Sequence, residues 1–392
     1  MPPQPRRIYL DNAATSWPKP PAVVERVHRY LAENGAPAGR GAYREALEVE
    51  SAVRSVRSSV ARLIGADQPE SLVFTANGTD SLNLALHGIL REGDHVVTTA
   101  AEHNSVLRPL MFERQMRNVQ FDVVPCDGDG WVDPNAVAAA IQPETRLIAV
   151  THASNVTGVV QPLAEIGRIA QEHDILLLVD AAQTLGHIEV DVRQPVVDLL
   201  AGSAHKGLLG ILGLGILYVR PGLESQLAPW RQGGTGTQSD QIRQPAEMPH
   251  RYESGNLNVP AILGLGAAIE FLQDSGLPKQ PCPADDRRLA QRLVEGLRAI
   301  QGVRVIGHRS NRTFVPVVSI TLPGWRPADA AAVLDAQFGI QVRAGFHCAP
   351  LIHGPLATRE EAGTLRFSFG PFNTPDDVEV TLDALSQMVS QA

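Results

Sequence analysis

Cysteine is nearly missing from this sequence: Cys126, Cys282 and Cys348 are the three in 392 residues. Three thiols without a CxxC pair build no disulfide framework, and an odd count leaves at least one unpaired. No apolar signal core follows Met1-Pro2-Pro3-Gln4-Pro5-Arg6-Arg7, which speaks against a secretory leader. No run is long enough to span a bilayer either. The most apolar stretch, Leu208 to Val219, is interrupted by glycines and stopped by Arg220, and reads as buried strand and turn. Basic clusters are also wanting. Lys and Arg number 34 against 42 Asp and Glu, for a formal net charge of -8. That balance disfavours nucleic acid and anionic membrane as partners. Together these absences predict a reducing, cytoplasmic setting.

What is present is ordinary for a globular protein, with 44% hydrophobic and 19% charged residues. The length exceeds what one core serves, so two domains are expected. Apolar runs that read as strands are Ser71–Ala76, His95–Thr99, Val119–Pro125, Arg146–Thr151, Ile175–Asp180, Leu199–Ser203 and Gly215–Val219. Helical patterns lie between them at Asp80–Leu90, Ser105–Arg117, Pro134–Ile141 and Leu163–His173, and another spans Leu47–Ile64. Several runs lack alternation, as strands covered on both faces do. This β–α rhythm predicts an α/β fold around a mainly parallel sheet.

The rhythm breaks after Arg220. Residues 221–250 are irregular, a helix is expected over Pro260–Gln273, and Gly276–Pro283 reads as a linker. Helices at Asp285–Ile300, Ala328–Phe338 and from Asp376 then alternate with strands near Val303–Ile306, Val317–Thr321, Ile340–Val342 and Thr364–Phe369. That is a smaller α+β unit. The expected division is a segment 1–18 packing with the small domain, a large domain 19–256, and a small domain 257–392.

The chemistry-bearing residues cluster after the strands. Asp180 ends one apolar run, and Lys206 follows the next in Ser203-Ala204-His205-Lys206-Gly207. A lysine to hold an aldehyde as a Schiff base and a carboxylate to keep a pyridine nitrogen protonated are what pyridoxal phosphate chemistry needs. Asp180 also fits a helix N-cap, and Lys206 a surface loop. Asn77-Gly78-Thr79-Asp80 opens a helix and suits a phosphate, although Thr79 or Asp80 could serve only as a cap. His103, in Ala101-Glu102-His103-Asn104-Ser105, could stack on a flat ring or be a plain loop histidine. Asn155 follows the run Arg146–Thr151 and Gln183 the run that ends in Asp180, and both can donate to a ring oxygen. In open α/β sheets ligands sit at such strand ends.

Three more residues lie in the small unit. Cys348, in Arg343-Ala344-Gly345-Phe346-His347-Cys348-Ala349-Pro350, has a histidine beside it and an arginine nearby, the surroundings of a reactive thiolate. A buried inert cysteine is the alternative. A metal site from His347, Cys348 and His353 lacks a fourth ligand, so no metal is expected. Arg366, inside an apolar strand pattern, wants a carboxylate, either a substrate's or one within the chain. The glycines at 210, 213 and 215, and at 264 and 266, lack the context of a nicotinamide site.

Taken together, from Tyr9-Leu10-Asp11-Asn12-Ala13-Ala14 through Val179-Asp180-Ala181-Ala182-Gln183 and His205-Lys206-Gly207 to Arg366, the sequence resembles the cysteine desulfurases and selenocysteine lyases of the class V aminotransferase family. The segment Arg343 to Ala349 is similar to the short catalytic loop of the group II enzymes. The resemblance implies fold type I, with a seven-stranded, mainly parallel sheet in the large domain. It also implies a homodimer with the site at the interface. Lys206 would form the Schiff base, Asp180 pair with the pyridine nitrogen, His103 stack on the ring, and Gln183 reach the ring hydroxyl. Gly78, Thr79, Ser203 and His205 would hold the phosphate, and Asn155, Arg366 and Arg343 the substrate. The family often reads Arg-Phe-Glu-Ala-Gly-Thr, its threonine reaching the neighbouring subunit's phosphate. Here Arg251-Tyr252-Glu253-Ser254-Gly255-Asn256 puts Asn256 in that place. The implied reaction turns L-cysteine into L-alanine and leaves a persulfide on Cys348 for an acceptor protein. The alternatives are a selenocysteine lyase acting on L-selenocysteine, or an epimerisation or β-elimination of another amino acid.

Overall fold

A computed structural model describes residues 7–274, 284–309 and 311–391. The expected linker at 276–283, with Cys282, lies outside the described residues. First come a two-residue strand, β1 (Ile8–Tyr9), and helices α1 (Pro21–Arg29) and α2 (Arg44–Leu63). Strands and helices then alternate: β2 (Leu72–Thr75), α3 (Gly78–Ile89), β3 (His95–Thr99), α4 (Asn104–Arg117), β4 (Gln120–Val124), α5 (Pro134–Ala139), β5 (Thr145–Thr151), α6 (Leu163–Glu172), β6 (Leu176–Asp180), β7 (Leu199–Ser203) and β8 (Gly215–Val219). These seven strands, β2 to β8, form one sheet in the order β2-β8-β7-β6-β5-β3-β4. Strands β3 to β7 pair in parallel, and β8 is antiparallel to both its neighbours.

The apolar runs explain this placement. Every residue of β2, β3, β7 and β8 is buried, because helices cover both faces. Only β4, at the sheet edge, is mostly exposed. Val97, Val179 and Leu200 pack on one face with Val53 and Val60 of α2; Val96, Leu178 and Leu199 pack on the other with Leu86 and Leu110.

Helix α7 (Val259–Asp274) joins the first of these cores. A Cβ at its Gly266 would fall 2.6 Å from Val56 Cγ2. The glycine lets α7 lie close against α2, so this glycine pair serves helix packing. The loop before α7 is anchored by a buried ion pair. Arg57 of α2 donates to both oxygens of Glu253 at 2.7 and 2.9 Å, and Phe74 N–H donates to Glu253 at 2.7 Å.

The last third holds α8 (Ala284–Ala299), β9 (Arg304–Ile306), β10 (Val317–Thr321), α9 (Pro327–Phe338), β11 (Ile340–Gln341), β12 (Arg343–Gly345), β13 (Thr364–Ser368) and α10 (Pro375–Ser390). An antiparallel sheet runs β12-β13-β10-β9, and α8, α9 and α10 contribute to its core. Strand β1 pairs in parallel with β11, Ile8 opposite Ile340.

Two local readings change. Helix α3 begins at Gly78 because Asn77 is its cap: the Asn77 side-chain oxygen accepts from Asp80 N–H at 2.9 Å. Thr79 and Asp80 therefore sit in the first turn and are not caps. Arg343, placed in a loop by its motif, opens strand β12.

Candidate active site

One cleft at the carboxyl ends of the parallel strands is lined by Gly78, Thr79, His103, Asn155, Asp180, Gln183, Ser203 and Lys206. The register makes this so. Thr151 at the end of β5 lies opposite Asp180 at the end of β6, which lies opposite Ala201 of β7. Residues a few positions beyond each strand must then meet.

Lys206 is half-buried. Burial lowers its amine to about 8, with Arg366 and Arg343 acting the same way and Asp180 opposing them. A substantial neutral fraction near neutral pH follows, as attack on an aldehyde requires. Burial pushes the Asp180 carboxyl up, while the Ala182 N–H and Lys206 pull it down. Asp180 accepts from that N–H at 2.9 Å, so the local capping bond is real and leaves capacity for a cation. His103 is held near 4 by burial first and then by Lys206, Arg343, Arg108 and Arg366. Its ring is neutral at physiological pH. Nδ1 accepts the Ser105 N–H at 3.0 Å, so the proton sits on Nε2.

At the N-terminus of α3, Thr79 Oγ1 and Ser105 Oγ are 2.8 Å apart. A Cβ at Gly78 would meet Ser203 Oγ at 2.5 Å, so only glycine lets the α3 N-terminus approach Ser203. His205 does not line the cleft. Its Nδ1 is buried without a partner, and burial lowers the ring to about 4. Asn256 is exposed and lies off the cleft. A buried carboxylate awaiting a cation, a lowered lysine, a neutral ring donor and an orphan imidazole nitrogen fit the pyridine, aldehyde and phosphate of pyridoxal phosphate.

Cys348 is an exposed free thiol on an adjoining cleft that shares Thr79, His103 and Ser105 with the first. Arg343 donates to its Sγ at 3.6 Å. His347 and Cys348 have φ of +49° and +59°, a left-handed pair that costs roughly 1–2 kcal/mol per residue. Two bonds hold the loop there. Asn104 N–H donates to the Cys348 carbonyl at 2.7 Å, and Asn155 Nδ2 donates to the His347 carbonyl at 2.6 Å. Arg366 is fully buried and paired with Asp11 at 2.7 Å. Gln183 Nε2 donates to Ala13 O at 3.1 Å, which leaves its second hydrogen free. Cys126 is buried, and burial pushes its thiol up to about 12. Among the described residues no cluster of metal-ligating side chains occurs.

Three residues escaped the sequence reading. Glu102 is fully buried, accepts from Thr99 Oγ1 at 2.6 Å and Thr151 N–H at 2.9 Å, and is pushed by burial to about 8. It ties the ends of β3 and β5 together; its place just before His103 was the available signal. Lys19 and Ser16 converge on the His205 carbonyl, from Lys19 Nζ at 3.0 Å and Ser16 N–H at 2.9 Å. Nothing local in the sequence pointed to that contact.

Known proteins resemble this chain along nearly its whole length. The chain is 36% identical over 385 residues to a probable cysteine desulfurase of Methanothermobacter thermautotrophicus, covering 97% of this chain and 94% of that one. It is 32% identical over 389 residues to a cysteine desulfurase of Yersinia pestis, covering 97% and 93%. The apo structure of a cysteine desulfurase from Thermococcus onnurineus superposes with a TM-score of 0.91 at 34% identity, over 98% of this chain and 95% of that one. The Escherichia coli cysteine desulfurase CsdA, in an S-sulfonic acid form, gives 0.87 at 29% identity, over 98% and 95%. The expected fold, fold type I with a mainly parallel seven-stranded sheet, is thus borne out. No described helix is long and apolar enough to cross a membrane. Residues 8–381 match the aminotransferase class-V pattern, and the chain belongs to that family.

Proposed function

We propose that this chain is a pyridoxal-phosphate-dependent cysteine desulfurase that converts L-cysteine to L-alanine and carries the sulfur away on Cys348. The observation behind this reading is the meeting of Lys206, Asp180 and His103 in one cleft with Cys348 on the next. Pyridoxal phosphate, when bound, supplies an aldehyde for the amine and a ring that draws electrons from the substrate Cα. Lys206 holds that aldehyde and takes the Cα proton. Asp180 keeps a proton on the ring nitrogen. His103 would stack on the ring, with Nε2–H as its donor. Gly78, Thr79, Ser203 and His205 hold the phosphate, and Gln183 reaches the ring hydroxyl.

Arg366 receives the substrate carboxylate, with Asn155 and Arg343 nearby. Cys348 Sγ attacks the substrate sulfur. The new S–S bond forms as the Cβ–S bond breaks, which leaves a persulfide on Cys348 and, after protonation, alanine. An acceptor thiol then takes the outer sulfur. Cys348 is exposed and reachable from solvent, as that transfer requires.

The proposal includes a homodimer in which residues 251–256 of a second copy, Asn256 among them, complete the phosphate end. Exposed apolar side chains at Leu31, Tyr43, Leu47, Trp230 and Ile242 are available to an interface with that copy. The free thiols Cys126 and Cys348 fit a reducing cytoplasm. The test is Cys348→Ala in the cofactor-loaded protein. Alanine formed from L-cysteine should fall at least about 100-fold, with the visible cofactor absorption unchanged. Undiminished alanine formation would overturn the reading.

A further inference from the structure

We propose that Asp11 is the positioning residue for the substrate carboxylate: it holds the Arg366 guanidinium by Nη2 and leaves Nε–H for the incoming anion. This inference rests on the amino-acid substrate proposed above and extends it to a residue outside the cleft. Arg366 lies on β13 and is fully buried. A guanidinium carries five N–H donors in a fixed plane. Two are committed from opposite ends: Nη1 donates to Asn155 O at 3.1 Å, and Nη2 to Asp11 Oδ1 at 2.7 Å. Nε is buried with no partner at all. A buried donor left unsatisfied is costly, and a ligand oxygen relieves that cost. Nε–H and Nη2 form the guanidinium edge that takes a carboxylate with two bonds.

Asp11 is no loose surface partner. Its neighbours are fixed to the strand that carries Arg366. Asn12 Nδ2 donates to Ser368 O at 3.0 Å, and Ala13 N–H to Ser368 Oγ at 2.9 Å. Tyr9 OH donates to the Asp11 carbonyl at 3.2 Å. The same segment ends on the His205 carbonyl, through Ser16 N–H at 2.9 Å and Lys19 Nζ at 3.0 Å. His205 precedes Lys206. One stretch of backbone, residues 11–19, thus sets the arginine for the carboxylate and the lysine beside the amine, the two ends of an amino acid.

The experiment compares wild type with Asp11→Asn as cofactor-loaded protein. Binding of L-alanine and of ethylamine, which has the amine but no carboxylate, is read from the visible cofactor absorption. Loss of a charge-assisted contact should raise the L-alanine Kd at least about tenfold, with ethylamine within about twofold. Equal weakening of both ligands would mean a merely structural role, and overturns the proposal. So does an unchanged or tighter L-alanine Kd, or a wild type indifferent to L-alanine. Should Asp11→Asn not fold, Asp11→Glu keeps the charge on a longer arm. It should weaken L-alanine alone, and no loss there overturns the proposal. A protein that binds L-alanine but forms none from L-cysteine would refute the desulfurase reading and leave the Asp11 test standing.

Discussion

Lys206 has the most consequential ionisation in the molecule. An amine near 8 is about one-tenth neutral at pH 7 and mostly neutral at pH 9. Capture of pyridoxal phosphate by the cofactor-free protein should therefore speed up about fivefold from pH 7 to 8 and level off above pH 9. Stopped-flow absorbance against pH measures this. A rise of tenfold per pH unit up to pH 10 would mean a solvent-like lysine. Lys206 and Asp180 stand out in the sequence because one follows and the other ends an apolar run, the strand ends where ligands of open α/β sheets sit. Arg366 was legible only in part. Its strand pattern demanded a carboxylate, but whether from a substrate or the chain could not be decided. The structure supplies Asp11, 355 positions away. Asn155 was read as a donor to ring or substrate; here its amide holds the His347 carbonyl, a contact no local pattern encodes.

At the scale of elements, the inner strands of the large sheet were readable because burial on both faces leaves continuous apolar runs. Elements too short to carry a period were not. Strands β1 and β11, two residues each, show no alternation, and β12 hides inside a motif that looks like loop. The loop at 251–256 is irregular by sequence, yet Glu253 fastens it to α2 and β2. Arg57→Met strands the Glu253 carboxylate, with only 3% of its side chain exposed. That should destabilise the fold by about 3–5 kcal/mol, read as a lower urea midpoint. Loss under about 1 kcal/mol would mean that the pair is replaceable.

For the whole molecule, the pattern of exposed apolar side chains matters more than net charge. Ile242 is fully exposed, so a contact with the second copy proposed above could bury it. In the homodimer proposed above, Ile242→Asp should raise the dissociation constant at least about tenfold in sedimentation experiments, since burying an unpaired charge is far dearer than exposing a side chain. A variant as dimeric as wild type would place the interface elsewhere.

The pairing of Ile8 and Tyr9 with Ile340 and Gln341, and of Asp11 with Arg366, has a temporal consequence. During synthesis the early residues emerge long before the strands that receive them. A nascent chain can close its seven-stranded sheet on the ribosome, because those strands are all made by residue 219. It cannot close the pocket around an amino acid, since that waits for distant partners. Catalytic competence therefore arrives late, as the final act of maturation, and truncated translation products that lack Arg366 should be inert.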